Sequence, residues 1–549
     1  MCIRDRLLAG NLNGSQTMPA GPGYLNWLKE RGFSNDPQKY PIIDITDDGI
    51  GNGNAAAAAG DRTFRKAGNP ENNSRLAYLA DCTVNSDPSG PDGHGHLNAS
   101  IAGGFDTRSG DPYEDADGYQ LGMGVNPFGR LAGTRVFDGP LFDVSKCDHS
   151  YHSIVKQSYR NGARISSNSW GCTTADCTSQ YTPDAQAYDE AVRDADASTA
   201  GNQEILILFS AGNRGETLTP GVPAVATIGS PANGKNVIAV GATENVRPTW
   251  LNACGYGLSK SDNVQDIAAY SSRGPAPGGR AKPDLVAPGT NIAGTASTAT
   301  DYNGSGVCRL YYPFGQQIFT VSTGTSHSTP AVAGFASLAS FWLTKTYGIE
   351  NPSPALLKAF LIVSSSYLTG EGAGGDLPGS SQGFGLPNMN LAFGSQSRIV
   401  VEQGQAPLFK ESGQSWKLAV RPANSALPVR IVMAFTDYPG LLGADEVQVN
   451  DLNLEVQRQG ERYLGNEVDG QWSKSGGVAD RVNNVEAVFL PAGKTGAFEI
   501  IVKAANIAGD GVPENGDRTD QDFVLICDNC KPKKTVDYDY EFFFPILTR

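Results

Sequence analysis

A chain of 549 residues exceeds what a single hydrophobic core normally serves, so more than one domain is expected. Acidic residues number 57 against 43 basic ones, a formal net charge of −14, and Lys531-Pro532-Lys533-Lys534 is the one basic cluster. Nucleic acid is therefore not an expected partner. The longest nearly apolar run, Ala331 to Leu343, is broken by Gly334, Ser337 and Ser340 and is too short for a helical membrane span, so a soluble protein is expected.

Nine cysteines include two close pairs, Cys172/Cys177 and Cys527/Cys530, with Cys82, Cys147, Cys254 and Cys308 between them and Cys2 left over. This usage suits a secreted, disulfide-bonded protein. Connectivity does not follow from spacing. Cys527-Asp528-Asn529-Cys530 also resembles half of a zinc site, but no second C-x-x-C and no nearby histidine completes four ligands. The first ten residues lack the apolar stretch of a signal peptide, so secretion is expected without a visible export signal, and Cys2 is read as part of a non-native leader.

Taken in order, residues 1–40 read as a polar N-terminal extension with one short helical candidate at Tyr24 to Lys29. Pro41-Ile42-Ile43-Asp44-Ile45-Thr46 predicts a strand that stops at the turn Asp47-Asp48-Gly49-Ile50-Gly51. Asp47 would lie at the strand's C-terminal end, the edge of an open parallel sheet where ligands collect. Asp92-Gly93-His94-Gly95-His96 opens a small-residue helix. Only five histidines exist, at positions 94, 96, 149, 152 and 327. His94 and His96 together make an H-x-H pair, which without a third ligand is a weak metal signal.

Leu131 to Phe137, Ala163 to Gly171, Ile205 to Phe209 and Asn236 to Thr243 predict further strands, with a helix over Ile154 to Asn161. The alternation indicates βαβ units and a parallel sheet. Asn213, after Ser210-Ala211-Gly212, joins Asp47 at a strand's C-terminal end, where a side-chain amide can donate to an oxyanion. Gly324-Thr325-Ser326-His327-Ser328-Thr329-Pro330 then reads as a tight loop feeding a buried helix with proline in its first turn. Ser326 would stand where unpaired backbone N–H groups can hold an oxyanion. From about Arg398 the pattern changes to period-two strands separated by Gly, Asn and Asp turns, which indicates an antiparallel β-sandwich or jelly roll, and residues 531–549 read as a tail.

A carboxylate, an imidazole, an amide and a hydroxyl thus occur on four segments, each at a strand end or helix start. A hydroxyl nucleophile needs an imidazole to take its proton, the imidazole needs a carboxylate to fix its tautomer, and the tetrahedral intermediate needs hydrogen-bond donors. The chain order Asp47, His94, Ser326 is one of three known arrangements.

On these motifs, from about Pro41 to Asn390, the sequence resembles the subtilisin-like serine proteases. Asp47-Asp48-Gly49 is similar to the family's Asp-Ser/Thr-Gly turn, His94-Gly95-His96 to its His-Gly-Thr-His motif, and the serine loop to its Gly-Thr-Ser-x-x-x-Pro. The resemblance implies an α/β three-layer fold with a mostly parallel sheet, a triad of Asp47, His94 and Ser326, an oxyanion donor at Asn213, and a substrate pocket walled by Ser169, Trp170 and Gly171 on one side and Ser210, Ala211 and Gly212 on the other. Phe137 and Asp138 are expected near outer subsites. Asp48, His96 and Leu97 depart from the family pattern. Because His94 must be neutral to act as a base, and because a second carboxylate stands beside Asp47, an activity optimum above neutral pH is expected. The glycines at 171 and 212 suggest an open pocket for large, uncharged side chains.

Phe435 to Gly440, Val449 to Leu454 and Asn483 to Glu486 resemble the C-terminal jelly roll of the larger, oxidatively stable alkaline subtilases, whose members bind calcium. The resemblance implies a structural calcium held by some of Asp437, Asp451, Asp469 and Asp480, and no cofactor for catalysis. The expected organisation is an extension (1–40), a peptidase domain (41–397), a β-sandwich (398–530) and a tail (531–549), in a monomer acting on polypeptides. An α/β-hydrolase is disfavoured because the serine loop lacks the last glycine of G-x-S-x-G. Sedolisins are disfavoured because they carry Glu and Asp where His94 and Asn213 stand. The remaining alternative is an inactive relative that binds peptides, with the sandwich as an adhesion module.

Overall fold

The computed structural model describes residues 23–533 apart from 115–119, 173, 175–176, 179, 217–223, 247–253, 257 and 445, and also residues 547–548. Seven parallel strands form its central sheet: β1 (Ile42–Asp47), β2 (Leu76–Asp81), β3 (Arg130–Arg135), β4 (Ala163–Asn168), β5 (Leu206–Ser210), β6 (Ile238–Thr243) and β7 (Leu285–Pro288). Their spatial order is β2-β3-β1-β4-β5-β6-β7. β1, β5 and β6 are buried along their whole length, as strands covered on both faces must be.

The six main helices are α1 (Gly23–Glu30), α2 (His94–Gly103), α3 (Tyr151–Arg160), α4 (Pro183–Arg193), α5 (Thr325–Tyr347) and α6 (Pro354–Val363). Residues of α2, α5 and α6 pack in the main core with Ile43, Ile45, Leu206 and Val240 of the sheet. Val155 of α3 and Tyr188, Ala191 and Val192 of α4 cover the opposite face with Ile207 and Phe209. The chain leaves β1 toward β2 on one side, while β4 leads on toward β5 on the other. β1 and β4 therefore flank the crevice at which such sheets bind ligands.

Part of the expected N-terminal extension packs against the parallel-sheet body. Tyr24, Trp27 and Leu28 of α1 are buried in the main core, and the Tyr24 hydroxyl donates to the Val125 carbonyl at 2.5 Å. One turn of apolar residues on a short helix was legible, but not the surface it covers.

Two antiparallel sheets follow, built from β8 (Arg398–Val401), β9 (Ser415–Pro422), β10 (Val429–Ala434), β11 (Asp451–Arg458), β12 (Glu461–Asp469), β13 (Trp472–Ser475), β14 (Val485–Leu490), β15 (Phe498–Asn506), β16 (Val524–Asp528), β17 (Cys530–Pro532) and β18 (Leu547–Thr548). One sheet has the order β14-β10-β16-β8-β18 and the other β13-β12-β11-β15-β9-β17. They stack as a sandwich: Val401, Ile431 and Met433 of the first sheet share a core with Leu418, Val420, Leu454 and Ile500 of the second. The period-two alternation sends Val400, Val432 and Ala434 to the other face, where they join the main core beside Leu357, Phe360 and Leu361 of α6. The expected tail also returns to the fold, since Leu547 and Thr548 pair with Val400 and Ile399.

The seam between the two bodies is polar as well as apolar. Lys235 and Asp437 are both 0% exposed, with Nζ 2.5 Å from Oδ2, and Nζ also donates to the carbonyls of Tyr438 and Val447. Arg193 forks onto both oxygens of Asp522 at 2.9 and 2.7 Å. Asn236 donates to the Asp437 carbonyl and accepts from the Asp437 N–H.

The eight described cysteines pair as Cys82–Cys147, Cys172–Cys177, Cys254–Cys308 and Cys527–Cys530. The C-x-x-C pair is thus a disulfide, and Cys2 lies outside the described residues.

Candidate active site

β1 ends at Asp47, and the strand and the turn that follows place three carboxylates in different settings. Asp44 faces away from the crevice and accepts from Thr134 Oγ1 at 2.7 Å and from Ser158. Asp47 Oδ1 lies 2.8 Å from His94 Nδ1 and also accepts the Asp48 N–H at 2.9 Å. Asp48 braces the start of α2: one oxygen accepts the Gly95 N–H at 2.5 Å and the other the Asp92 N–H at 3.1 Å. The backbone approaches closely here, and a Cβ on Gly95 would lie 2.6 Å from the Gly49 carbonyl oxygen. Asp47 is therefore the carboxylate that meets the imidazole, and Asp48 is the clamp that holds α2 against β1.

Burial first, then repulsion from Asp47, lifts Asp48 to about 7. Burial by itself would depress the His94 imidazole. The adjacent Asp47 charge and hydrogen bond, helped by Asp48 and Asp92, outweigh that and raise it to about 9. His94 retains 20% side-chain exposure, so the ring reaches the crevice.

Ser326 is the second residue of α5. Pro330 lies in the second turn of this helix rather than the first. Without an N–H, Pro330 cannot bond the Ser326 carbonyl, four residues earlier. Ser169 Oγ donates to that free carbonyl at 2.6 Å, and in return the Ser326 hydroxyl donates to the Ser169 carbonyl at 3.2 Å. The proline thus creates the acceptor that docks the pocket wall on the serine. The next residue, His327, has its ring centroid 5.3 Å from that of His94, which brings the imidazole and serine segments together.

Asn213 is fixed from the same helix start. Its Oδ1 accepts from Thr325 N at 2.9 Å and Thr325 Oγ1 at 3.0 Å, an orientation that turns Nδ2 away as a spare donor. The Ser326 N–H belongs to the helix's first turn, where N–H groups have no intrahelical acceptor. Ser169, Trp170, Gly171, Ser210, Ala211 and Gly212 all line one cleft of about 400 Å³ with Asn213 and Ser326. Trp170 is held by an indole N–H bond to the Thr46 carbonyl at 3.0 Å, and Phe137 packs edge-on against it. Sequence reasoning missed Arg214, Thr227 and Ser272, which line the same cleft. Arg214 was legible beside Asn213, but its neighbours in space were not.

His96 is separate from this site. It is buried, with Nε2 3.2 Å from both Asp61 Oδ2 and Thr295 Oγ1.

Of the four expected calcium ligands, Asp437 is corrected: Lys235 and the N–H groups of Val449 and Asn450 take its oxygens. Asp469 is exposed beside the hairpin turn at Gly470. Asp480 accepts from Asn466, Asn483 and the Val482 N–H. Asp451 and Asp480 both act on the buried Glu486, which burial chiefly pushes well above the usual carboxylate range and whose Oε1 has no hydrogen-bond partner among the described residues. A tighter group lies elsewhere. Oxygens of Glu244, Asp262 and Asp266 fall within 4.8 Å of one another; Glu244 is 3% exposed, and among the described residues its Oε2 has no hydrogen-bond partner. Burial, with Asp266 and Asp262 adding repulsion, lifts Glu244 to about 7. These donors are hard oxygens, as calcium prefers.

The sequence model of the Subtilase family matches residues 38–385, more than half of the chain. This chain belongs to the subtilase family. Among curated proteins, it is 35% identical over 136 residues to the serine protease AprX of Bacillus subtilis (strain 168), a match covering 24% of this chain and 25% of that protein. It is 23% identical over 570 residues to the serine protease/ABC transporter B family protein tagD of Dictyostelium discoideum, covering 81% of this chain and 30% of that one. The subtilase described here thus spans about a quarter to a third of these relatives. The solved structure of the prenylagaramide maturation protease PagA is 19% identical with a TM-score of 0.40, covering 68% of this chain and 98% of that one.

Proposed function

We propose that this subtilase is a serine endopeptidase in which Ser326 attacks the scissile carbonyl, His94 takes the hydroxyl proton and returns it to the leaving amine, and Asp47 holds the imidazole in its Nδ1–H tautomer. The observation that carries the reading is the 2.8 Å contact between His94 Nδ1 and Asp47, on a ring that packs against the segment bearing Ser326. Attack requires the Ser326 hydroxyl to rotate from the Ser169 carbonyl to His94 Nε2, a tightening that substrate binding commonly brings. Asn213 Nδ2 and the Ser326 N–H donate to the oxyanion. Arg214 at the cleft makes basic side chains poor substrates and neutral or acidic ones better, so the expected preference for large, uncharged side chains is widened to acidic ones. An inactive peptide-binding relative would have no chemical use for this geometry.

Four disulfides support secretion or another oxidising compartment. The sandwich is read as the jelly roll of the larger alkaline subtilases, within a monomer. Glu244, Asp262 and Asp266 are read as holding a structural calcium, with Asp451, Asp480 and Glu486 as a second candidate group; the ion would neutralise buried carboxylates and take no part in the reaction. Purified protein should cleave a quenched-fluorescence peptide library, and Ser326→Ala should not. Equal turnover by both proteins would refute the assignment.

A further inference from the structure

The residue after the nucleophile is itself tied to the triad. Asn98 stands four residues beyond His94 on α2 and so on the same face of that helix. Its Nδ2 donates to Asp47 Oδ2 at 3.0 Å, while His327 Nδ1 lies 2.9 Å from Asn98 Oδ1; Asn98 and His327 are 0% and 1% exposed. A carboxylate only accepts, so Asn98 must present its amino group to Asp47 and its carbonyl oxygen to His327. That oxygen in turn requires a proton on His327 Nδ1. We propose that His327 and Asn98 are positioning residues that, through a directed chain from His327 to Asn98 to Asp47, hold the carboxylate in register with His94 and lock α5 to α2. This rests on the triad reading above.

Without the His327 donor, the buried Asn98 oxygen loses a hydrogen bond, and the amide can turn its oxygen toward Asp47, where like partial charges repel. The carboxylate then loses its second anchor and no longer fixes the imidazole. Misplacement of this kind costs catalysis on the order of tenfold to a hundredfold without weakening substrate binding.

The test is kcat and KM on a peptide substrate for wild type, His327→Leu, His327→Gln, Asn98→Ala and the Asn98→Ala/His327→Leu double variant, with Tm for each. The expected result is a kcat about 10- to 100-fold lower for His327→Leu at unchanged KM, recovery in His327→Gln, which keeps an N–H donor, and a double variant no slower than Asn98→Ala. Independently, 15N shifts of the folded wild type should show His327 as the Nδ1–H tautomer. An Nε2–H tautomer would overturn the proposal, whatever the variants do. So would a kcat for His327→Leu within twofold of wild type, or multiplicative effects in the double variant. Wild type without turnover would instead overturn the triad reading, leaving the tautomer to decide the hydrogen-bond chain alone.

Discussion

The crevice at β1 and the seam between the parallel-sheet body and the sandwich use the same chemical groups to opposite ends. At the seam, the Asp437 carboxylate meets the Lys235 ammonium and two backbone N–H groups with neither side chain exposed. At the crevice, Asp47 is anchored from beneath by Asn98 and the Asp48 N–H, while the imidazole it holds reaches solvent and the Asn213 amino group is left over. Saturated donors and acceptors make a joint. Donors held in place and left unsatisfied make a site that binds developing charge.

The largest effect is expected at the proposed nucleophile. Ser326→Ala or His94→Ala should lower kcat about 10⁴-fold or more while the protein stays folded, as read by peptide hydrolysis and circular dichroism. At the seam the outcome reverses. Lys235→Met strands a buried Asp437 charge and should cost about 3–5 kcal/mol of stability, whereas pairing it with Asp437→Leu should recover much of the loss in urea melts. Asn213→Ala should reduce kcat about 10²- to 10³-fold with little change in KM.

Smaller effects are expected at Asp48. With His94 raised to about 9, the base form grows as pH rises, so kcat/KM should climb through that region, the direction expected from the sequence. The same shift means the His94 pairing stabilises the fold fully below about 6.5 and that this contribution is lost as pH rises through about 9. Asp48→Ser removes one of the charges that raise His94 and should move the acid limb of the pH profile to lower pH. Smallest is the response to chelation. EDTA should lower Tm by a few degrees if a calcium ion neutralises Glu244, Asp262 and Asp266, and Glu244→Gln should remove that sensitivity.

Much of the parallel-sheet body was legible because its signals are local. Ile42 to Thr46 and Ile205 to Phe209 are largely apolar runs that stop at Asp-Gly and Gly-Asn turns, and Asp47 and Asn213 stand at those stops. Strand Leu76–Asp81 was not read although Leu76 to Ala80 are apolar, because no glycine turn closes that run as one closes the other two. Helices Pro183–Arg193 and Pro354–Val363 were also passed over; the second is buried almost throughout, so it shows no polar face. Within the site, Asp47, His94, Asn213 and Ser326 follow from motifs. Asn98, His327 and Ser272 act through contacts 51 or more residues away in sequence, which no local pattern encodes. The calcium expectation failed at Asp437 for a related reason: an Asp in a turn looks alike whether it faces a cation or Lys235.

Labelling the purified protein with a fluorophosphonate and locating the adduct by mass spectrometry tests the central claim most directly. The account requires a single adduct on Ser326 that is lost in His94→Ala. A folded protein that takes up no label, or takes it at another serine, would contradict it.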